Sequence, residues 1–158
     1  MGARRFSLPS LRAKETEATL TGEAIPVIVM VEDNVADVRL VREALDEHAV
    51  PCELEVISDG EEAIAFFDSV DASGGACPQL VILDLNLPKR SGADVLRHLR
   101  ASKGCGGIPI IVMSSSDNQK DRDTAAALGA SQYVRKPSRL DEFMKLGELF
   151  KEMLSKPK

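Results

Sequence analysis

The stretch at residues 79–92 constrains the fold of this chain more than any other. It reads QLVILDLNLPKRSG, in which four consecutive apolar residues run directly into Asp84 and are followed by turn-forming residues. An unbroken apolar run with turn formers on both sides is typical of a strand buried on both faces of a sheet. We therefore predict a central parallel strand with Asp84 at its carboxyl end, where open α/β sheets place their ligand sites.

The rest of the chain alternates between short apolar runs and segments with helical spacing. Strands are predicted at residues 27–31, 54–57, 80–84, 109–113 and 131–135. Helices are predicted at residues 35–48, 61–70, 93–100, 117–128 and 140–154. Five strands alternating with five helices predict an α/β, doubly wound, five-stranded parallel sheet. Phe143, Met144 and Phe150 of the last helix belong either to the core or to an interface, and the core is the default for each.

Length and composition favour a single domain. The chain has 158 residues, of which 44% are hydrophobic, and a net charge of −5. The acidic balance argues against a nucleic-acid surface, which needs a basic face. No apolar run approaches the roughly 20 residues that cross a bilayer. We expect a flexible N-terminal extension at residues 1–24, one domain at residues 25–155, no output domain after it, and a cytoplasmic location without membrane contact.

Three cysteines are spread along the sequence. Cys52, Cys77 and Cys105 are widely spaced and form no CxxC pair. This pattern suggests neither a zinc site nor a disulfide framework. The expected state is three reduced cysteines in a cytosolic protein.

The predicted topology gathers polar residues at one edge of the sheet. Right-handed crossovers bring all carboxyl strand ends to the same edge. The residues expected there are Glu32, Asp33, Asp84, Ser114 and Lys136. Crowded carboxylates repel unless a cation compensates, and Mg²⁺ favours oxygen ligands. Beside Mg²⁺ and a lysine, an ionised aspartate can act as a nucleophile towards phosphorus.

Each of these residues also has an ordinary structural explanation when it is taken alone. Glu32 and Asp33 can be turn acids, Lys136 a surface lysine, and Asp84 a cap of the following turn. Ser114, or equally Ser115 or Ser116, can be the N-cap of a helix. Their coincidence at four strand ends favours the functional interpretation.

At this point the sequence resembles the receiver domain of two-component response regulators. The resemblance covers residues 26–154 and is carried by the motifs VEDN, ISDGEEA, ILDLNLP followed by SG, PIIVMSSS and GASQYVRKP. It implies a flavodoxin-like (βα)5 fold with strand order 2-1-3-4-5. It also implies Mg²⁺-dependent phosphorylation by a sensor histidine kinase, with Mn²⁺ as an alternative metal. A protein of this kind is a phospho-acceptor with slow self-catalysed reactions and is not otherwise an enzyme.

The resemblance assigns roles to the residues that match its motifs. Asp84 matches the phosphoacceptor, and Lys136, whose bond to Pro137 is usually cis in the family, matches the phosphate-binding lysine. Asp33 matches a direct metal ligand, Glu32 a ligand acting through water, and Asn86 a ligand through its backbone carbonyl.

The resemblance also assigns the switch and tuning positions. Ser114 matches the switch hydroxyl, with Ser115 beside it in the phosphate-binding loop, and Tyr133 matches the switch aromatic. Asn86 and Ser116 stand two residues after Asp84 and Ser114, at the positions that tune dephosphorylation.

Output and partners are implied in the same way. Phosphorylation is expected to pull Ser114 towards the phosphoryl group, to turn Tyr133 inward and to bias the face of the fourth helix, fifth strand and fifth helix. The runs at residues 33–45 and 84–92 further resemble stand-alone receivers that are paired with phytochrome-type or PAS-containing kinases. The partners implied are such a kinase, including a bacteriophytochrome, and a downstream protein target or a histidine phosphotransfer protein. Some members dimerise through the same face.

Two other classes of protein compete with the receiver interpretation, and one or two residues argue against each of them. Asp84-Leu85-Asn86 imitates the DxD motif of a phosphatase, but Asn86 cannot act as a general acid. A flavodoxin-like electron carrier would bind FMN phosphate in a hydroxyl- and glycine-rich loop after the first strand, where Glu32 and Asp33 would repel it.

Overall fold

The computed structural model describes the backbone of residues 4–7 and the full residues 24–155. The strands are β1 (Arg4–Ser7), β2 (Val27–Val31), β3 (Glu53–Ile57), β4 (Leu80–Asp84), β5 (Ile110–Ser114) and β6 (Gln132–Arg135). The helices are α1 (Val35–Glu47), α2 (Gly60–Ser73), α3 (Gly92–Arg100), α4 (Gln119–Ala127) and α5 (Leu140–Ser155). None of the helices within residues 24–155 has the length and apolar character needed to cross a bilayer.

The sheet has the order β1-β3-β2-β4-β5-β6. Strands β2 to β6 pair in parallel, and among these five the order is the predicted 2-1-3-4-5. Val31 of β2 lies opposite Leu83 of β4, so Glu32, which follows β2, and Asp84, which is the last residue of β4, lie at the same level of the sheet. The flavodoxin-like fold expected from the sequence is confirmed.

The sheet divides the core into two layers. Alternate residues of β2 face opposite sides: Ile28 and Met30 pack with α1 and α5, whereas Val29 and Val31 pack with α2 and α3. The strands β4 and β5 are buried along their full length, as expected for central strands covered on both faces. On the α1 and α5 side, Phe143 and Phe150 are buried and Met144 packs against them, which is the predicted core role.

The N-terminal segment contains a strand that the sequence pattern did not predict. Residues Arg4–Ser7 form β1, which pairs antiparallel with β3 at the edge of the sheet. An edge strand offers unpaired N–H and C=O groups, and backbone pairing satisfies them without an apolar pattern in the added strand. The expected flexible extension at residues 1–24 therefore includes a paired segment, and its residues 1–3 and 8–23 lie outside the described part.

The cysteine prediction was wrong for two of the three residues. Cys77 and Cys105 form a disulfide, and Cys52 is free and buried. Cys77 lies just before β4 and Cys105 lies in the loop before β5, and these strands are neighbours. The sheet thus brings together two cysteines that are 28 residues apart in sequence, a proximity that spacing alone does not show.

Candidate functional site

An acidic cluster lies at the carboxyl edge of β2 and β4. One carboxylate oxygen from each of Glu32, Asp33 and Asp84 lies within 4.8 Å of the others. Glu32 and Asp84 are buried and Asp33 is exposed. The register of β2 and β4 places the side chains of Glu32 and Asp84 next to each other, and Asp33 follows Glu32 at the turn into α1. The three acids predicted to meet at this edge therefore do so.

The Lys136 ammonium group lies among these carboxylates. Its Nζ donates hydrogen bonds to Glu32 Oε1 at 2.8 Å and to Asp84 Oδ2 at 3.1 Å. Lys136 follows β6 directly, and its backbone N–H donates to the Ser114 carbonyl at 2.8 Å, which continues the β5–β6 ladder. Backbone pairing between β5 and β6 therefore positions the lysine, which reaches Asp84 from two strands away from β4. This is the placement that the predicted topology implied.

A fourth carboxylate completes the site and was missed by the sequence analysis. Lys136 Nζ also donates to Asp37 Oδ2 at 2.8 Å. Asp37 stands in the first turn of α1, where Asn34 is the N-cap and accepts from the Asp37 backbone N–H at 3.4 Å. The available signal was an acid in the first turn of the helix that starts at the functional edge.

Electrostatics at the site follow from three buried or half-buried acids sharing one lysine. Burial, and then the hydrogen bond to Asp84, raise the pKa of Glu32 from 4.5 to about 8 against the opposing effect of Lys136. Burial acts to lower the pKa of Lys136, but its hydrogen bonds to Asp37 and Glu32 outweigh that effect and the net shift is upward. In metal-free protein the cluster therefore opposes ionisation of Glu32 and favours the charged form of Lys136.

The donor set fits a hard divalent cation. Mg²⁺ takes oxygen ligands, keeps several waters and commonly uses one or two carboxylates. The cluster offers such oxygens, with Asp33 open to solvent and able to leave room for water. The ammonium of Lys136 already lies where positive charge is needed. A divalent ion would favour the ionised form of Glu32 and so reverse its raised pKa.

The pH dependence of metal-free stability follows from Glu32. Because its folded-state pKa is raised, its contribution to stability is complete below pH 4.5 and is lost as the pH rises to about 8. We expect the free energy of unfolding in EDTA to fall by about 2 kcal/mol between pH 6 and pH 8. A difference of one pKa unit between the folded and unfolded states is worth about 1.4 kcal/mol. Urea titrations followed by circular dichroism would measure this. Glu32→Gln should flatten the profile, and an equally steep profile in that variant would assign the dependence to another group.

The loop after β4 is closely packed around the phosphoacceptor candidate. The Asn86 backbone N–H donates to Asp84 Oδ1 at 3.0 Å, and the Gly92 N–H donates to the Leu85 carbonyl at 2.9 Å. The side chain of Asn86 is exposed beside the site. A Cβ on Gly92 would lie 2.2 Å from the Asp84 carbonyl oxygen, so the loop requires glycine at the start of α3.

Gly92→Ala is expected to destabilise the protein. The added methyl would meet backbone atoms of Asp84 and Leu85, which cannot rotate away as a side chain end can. We expect a loss of about 3 kcal/mol in the free energy of unfolding, at the upper end of overpacking effects. Gly107→Ala is the control, because a Cβ there would have nothing within 4 Å. Equal urea midpoints for the two variants would contradict the packing argument.

The serines after β5 make different contacts. Ser114 is fully buried and its Oγ accepts from the Ser116 backbone N–H at 3.1 Å. Ser115 is exposed, and Ser116 Oγ accepts from the Asn118 N–H at 3.2 Å. The N-cap of α4 is Asn118, so none of the three serines fills the capping role that was the alternative explanation.

Two other expectations concern β6 and the bond after it. Tyr133 is half-buried and its hydroxyl donates to the Ser116 carbonyl at 2.9 Å, so the ring already packs against the core. No cis peptide bond occurs in the described part of the chain, and the cis Lys136–Pro137 bond implied by the resemblance is therefore trans here. The Lys136 hydrogen bonds described above form with this trans bond.

Fold and site together define a class of protein: a flavodoxin-like domain with an acidic, lysine-containing pocket at the carboxyl edge of its sheet. A family model for the response regulator receiver domain matches residues 28–147. The chain belongs to this family, whose members are phospho-acceptors of two-component systems.

Comparison with known proteins identifies similar response regulators. Response regulator Rcp1 of Synechocystis sp. is 35% identical over 121 residues, which cover 76% of this chain and 82% of Rcp1. The crystal structure of the phosphorylated cyanobacterial phytochrome response regulator RcpA has a TM-score of 0.76 at 34% identity, covering 85% of this chain and 98% of RcpA. The Mn²⁺-bound form of Rcp1 has a TM-score of 0.74 at 32% identity, covering 84% of this chain and 97% of Rcp1.

Proposed function

We propose that this chain is a Mg²⁺-dependent phospho-acceptor that receives its phosphoryl group on Asp84 from a sensor histidine kinase. The observation that carries the proposal is the Lys136 ammonium, which bonds Asp84 and Glu32 within an acidic cluster suited to a divalent cation. Membership of the receiver family supports it. Asp33, Asp84 and the Asn86 carbonyl would hold the metal directly, and Glu32 would act through water.

The transfer is an in-line displacement at phosphorus. An Asp84 carboxylate oxygen forms the new P–O bond while the bond from phosphorus to the kinase histidine nitrogen breaks, and its electron pair returns to the imidazole. Mg²⁺ supplies charge neutralisation for the phosphoryl oxygens. Lys136 is within 3.1 Å of Asp84, so a small movement of its ammonium brings it to a phosphoryl oxygen. The backbone N–H of Asn86 holds the other Asp84 oxygen and fixes the orientation of the nucleophile.

The phosphorylated state is transmitted through the loop after β5. The Ser114 hydroxyl would exchange its bond from the Ser116 N–H for one to the phosphoryl group. Ser115 in the same loop would assist in phosphate binding, and Asn86 and Ser116 would influence access of water for dephosphorylation. The face formed by α4, β6 and α5 is the output surface, and homodimerisation through it stays a prediction.

For the kinase, we propose a phytochrome-type or PAS-containing partner, and a cytoplasmic location for the encounter. The support is the similarity to a cyanobacterial phytochrome response regulator. A phosphorelay, in which the phosphoryl group passes on to a histidine phosphotransfer protein, is the alternative output. Competition between purified candidate kinases for this chain, scored by initial transfer rates, would identify the partner.

Incubation with acetyl phosphate tests the proposal without a kinase. With Mg²⁺, intact-mass spectrometry should show one added phosphoryl group per chain, and with EDTA it should show none. Hydroxylamine should remove the group, because it cleaves acyl phosphates. Sustained hydrolysis of a generic phosphomonoester without a stable phosphorylated chain would instead support the phosphatase alternative.

A further inference from the structure

Tyr133 is held by groups on three sides. Its ring packs against the core layer between the sheet and α2, α3 and α4, and its hydroxyl donates to the Ser116 carbonyl at 2.9 Å. On the outer side, the guanidinium carbon of Arg122 in α4 lies 4.7 Å from the ring centroid. A guanidinium within about 6 Å of an aromatic face is attracted to it. Arg122 therefore covers the ring from the side of the solvent.

The position of Arg122 is itself fixed by Asp117. The Arg122 Nε donates to Asp117 Oδ1 at 3.0 Å, and a second guanidinium nitrogen donates to the same oxygen. Arg135 of β6 lies on the other side of this carboxylate at 4.0 Å. These bonds pull the pKa of Asp117 below its ordinary value. The guanidinium thus has an anchor that keeps it over the ring, rather than the freedom of an ordinary surface arginine.

Ser116 connects this arrangement to the phosphorylation site. Its N–H donates to Ser114 Oγ, and its carbonyl accepts from Tyr133. A movement of the Ser114 hydroxyl therefore changes the restraint on the residue that holds the tyrosine hydroxyl. Tyr133, Ser116 and Ser114 are thus linked by consecutive hydrogen bonds. Arg122, held by Asp117, covers the solvent side of the tyrosine ring.

We propose that Asp117 and Arg122 form a latch that holds Tyr133 in its packed position before phosphorylation. The latch thereby favours the conformation that the protein adopts when Asp84 is phosphorylated. This inference rests on the proposed function together with the expectation, stated above from the family resemblance, that Tyr133 turns inward when Asp84 is phosphorylated. A ring that is already packed removes part of the conformational cost of binding a phosphoryl group. A cation–π contact at an exposed site corresponds to a factor of about two to five in such an equilibrium.

The first test measures the ring directly. The chain contains one tyrosine and no tryptophan, so its intrinsic fluorescence reports on Tyr133 alone. Arg122→Ala should raise the acrylamide quenching constant by about twofold, and Asp117→Asn by less, in protein that has seen no phosphoryl donor. Arg97→Ala is the matched control, because Arg97 likewise pairs with an aspartate, Asp94 at 2.9 Å, but does so on α3 and not on α4 beside the ring. Unchanged quenching in Arg122→Ala would overturn the latch.

The second test measures coupling to the site. Beryllofluoride with Mg²⁺ mimics the aspartyl phosphate, and its apparent dissociation constant should rise about two- to fivefold in Arg122→Ala, since the latch contributes that factor. Arg122→Lys should lie between this variant and wild type, because lysine keeps the charge and loses the forked hydrogen bonds. Raised quenching with an unchanged or tighter dissociation constant would overturn the coupling. The quenching result stands even if Asp84 is not the phosphoacceptor, so the two proposals fail separately.

Discussion

Asp84→Asn is expected to reduce phosphoryl incorporation from acetyl phosphate to background. The amide lacks the anionic oxygen that attacks phosphorus, and nucleophile replacements of this kind typically cost several orders of magnitude in rate. The substitution preserves shape, and an amide oxygen can still accept from the Asn86 N–H. The measurement is intact-mass spectrometry over a time course with Mg²⁺, with the wild type beside it.

The control for this prediction is Asp46→Asn, which changes an exposed aspartate near the end of α1 by the same chemistry. It should be phosphorylated at the wild-type rate. Incorporation into Asp84→Asn at a rate comparable to wild type would remove Asp84 from its proposed role. Peptide mapping of the modified residue would then show whether Asp33 or another carboxylate had accepted the group.

Lys136→Met is expected to make stability strongly dependent on Mg²⁺. The substitution removes the ammonium that bonds Glu32, Asp37 and Asp84 but keeps a side chain of similar length. Removing one partner from a buried ionic group leaves uncompensated charge, and we expect the free energy of unfolding in EDTA to fall by about 3 kcal/mol. Millimolar Mg²⁺ should recover a large part of that loss, because the cation supplies the missing positive charge.

Lys145→Met serves as the control, since Lys145 is an exposed lysine on α5. Its unfolding midpoint should match wild type in both EDTA and Mg²⁺. If Lys136→Met were as stable as wild type in EDTA, the ammonium would not be compensating buried negative charge in this cluster, and the prediction would be wrong. Urea titration at fixed pH, repeated at two Mg²⁺ concentrations, separates these cases.

The site could be predicted from sequence to the extent that strand topology determines it. Glu32 follows β2, Asp84 ends the adjacent parallel strand β4, and Lys136 follows β6, so the shared edge alone implies their proximity. Asp37 was missed because the reach of a helical side chain depends on how α1 is rotated over the sheet. The pattern of its sequence indicates which face is apolar, but does not show which first-turn acid meets the lysine.

The same topological argument, applied to the other edge, would have found the disulfide. Cys77 and Cys105 precede the neighbouring strands β4 and β5, so their segments start from the same side of the sheet. The spacing of the cysteines along the sequence does not reveal this proximity. The strand β1 is a different case, because RRFS lacks an alternating apolar pattern and its pairing is a backbone interaction with an open edge.

The direction of β1 has a practical consequence for anyone preparing this protein. Arg4 pairs with Val56 near the carboxyl end of β3, so the chain enters β1 at the same edge as Glu32 and Asp84. Helix α5 starts at that edge and ends at the opposite one. An affinity tag fused before Arg4 would therefore emerge two strands, or about 10 Å, from the β2 end of the pocket. A purification handle after Ser155 keeps the edge that carries the acidic cluster clear.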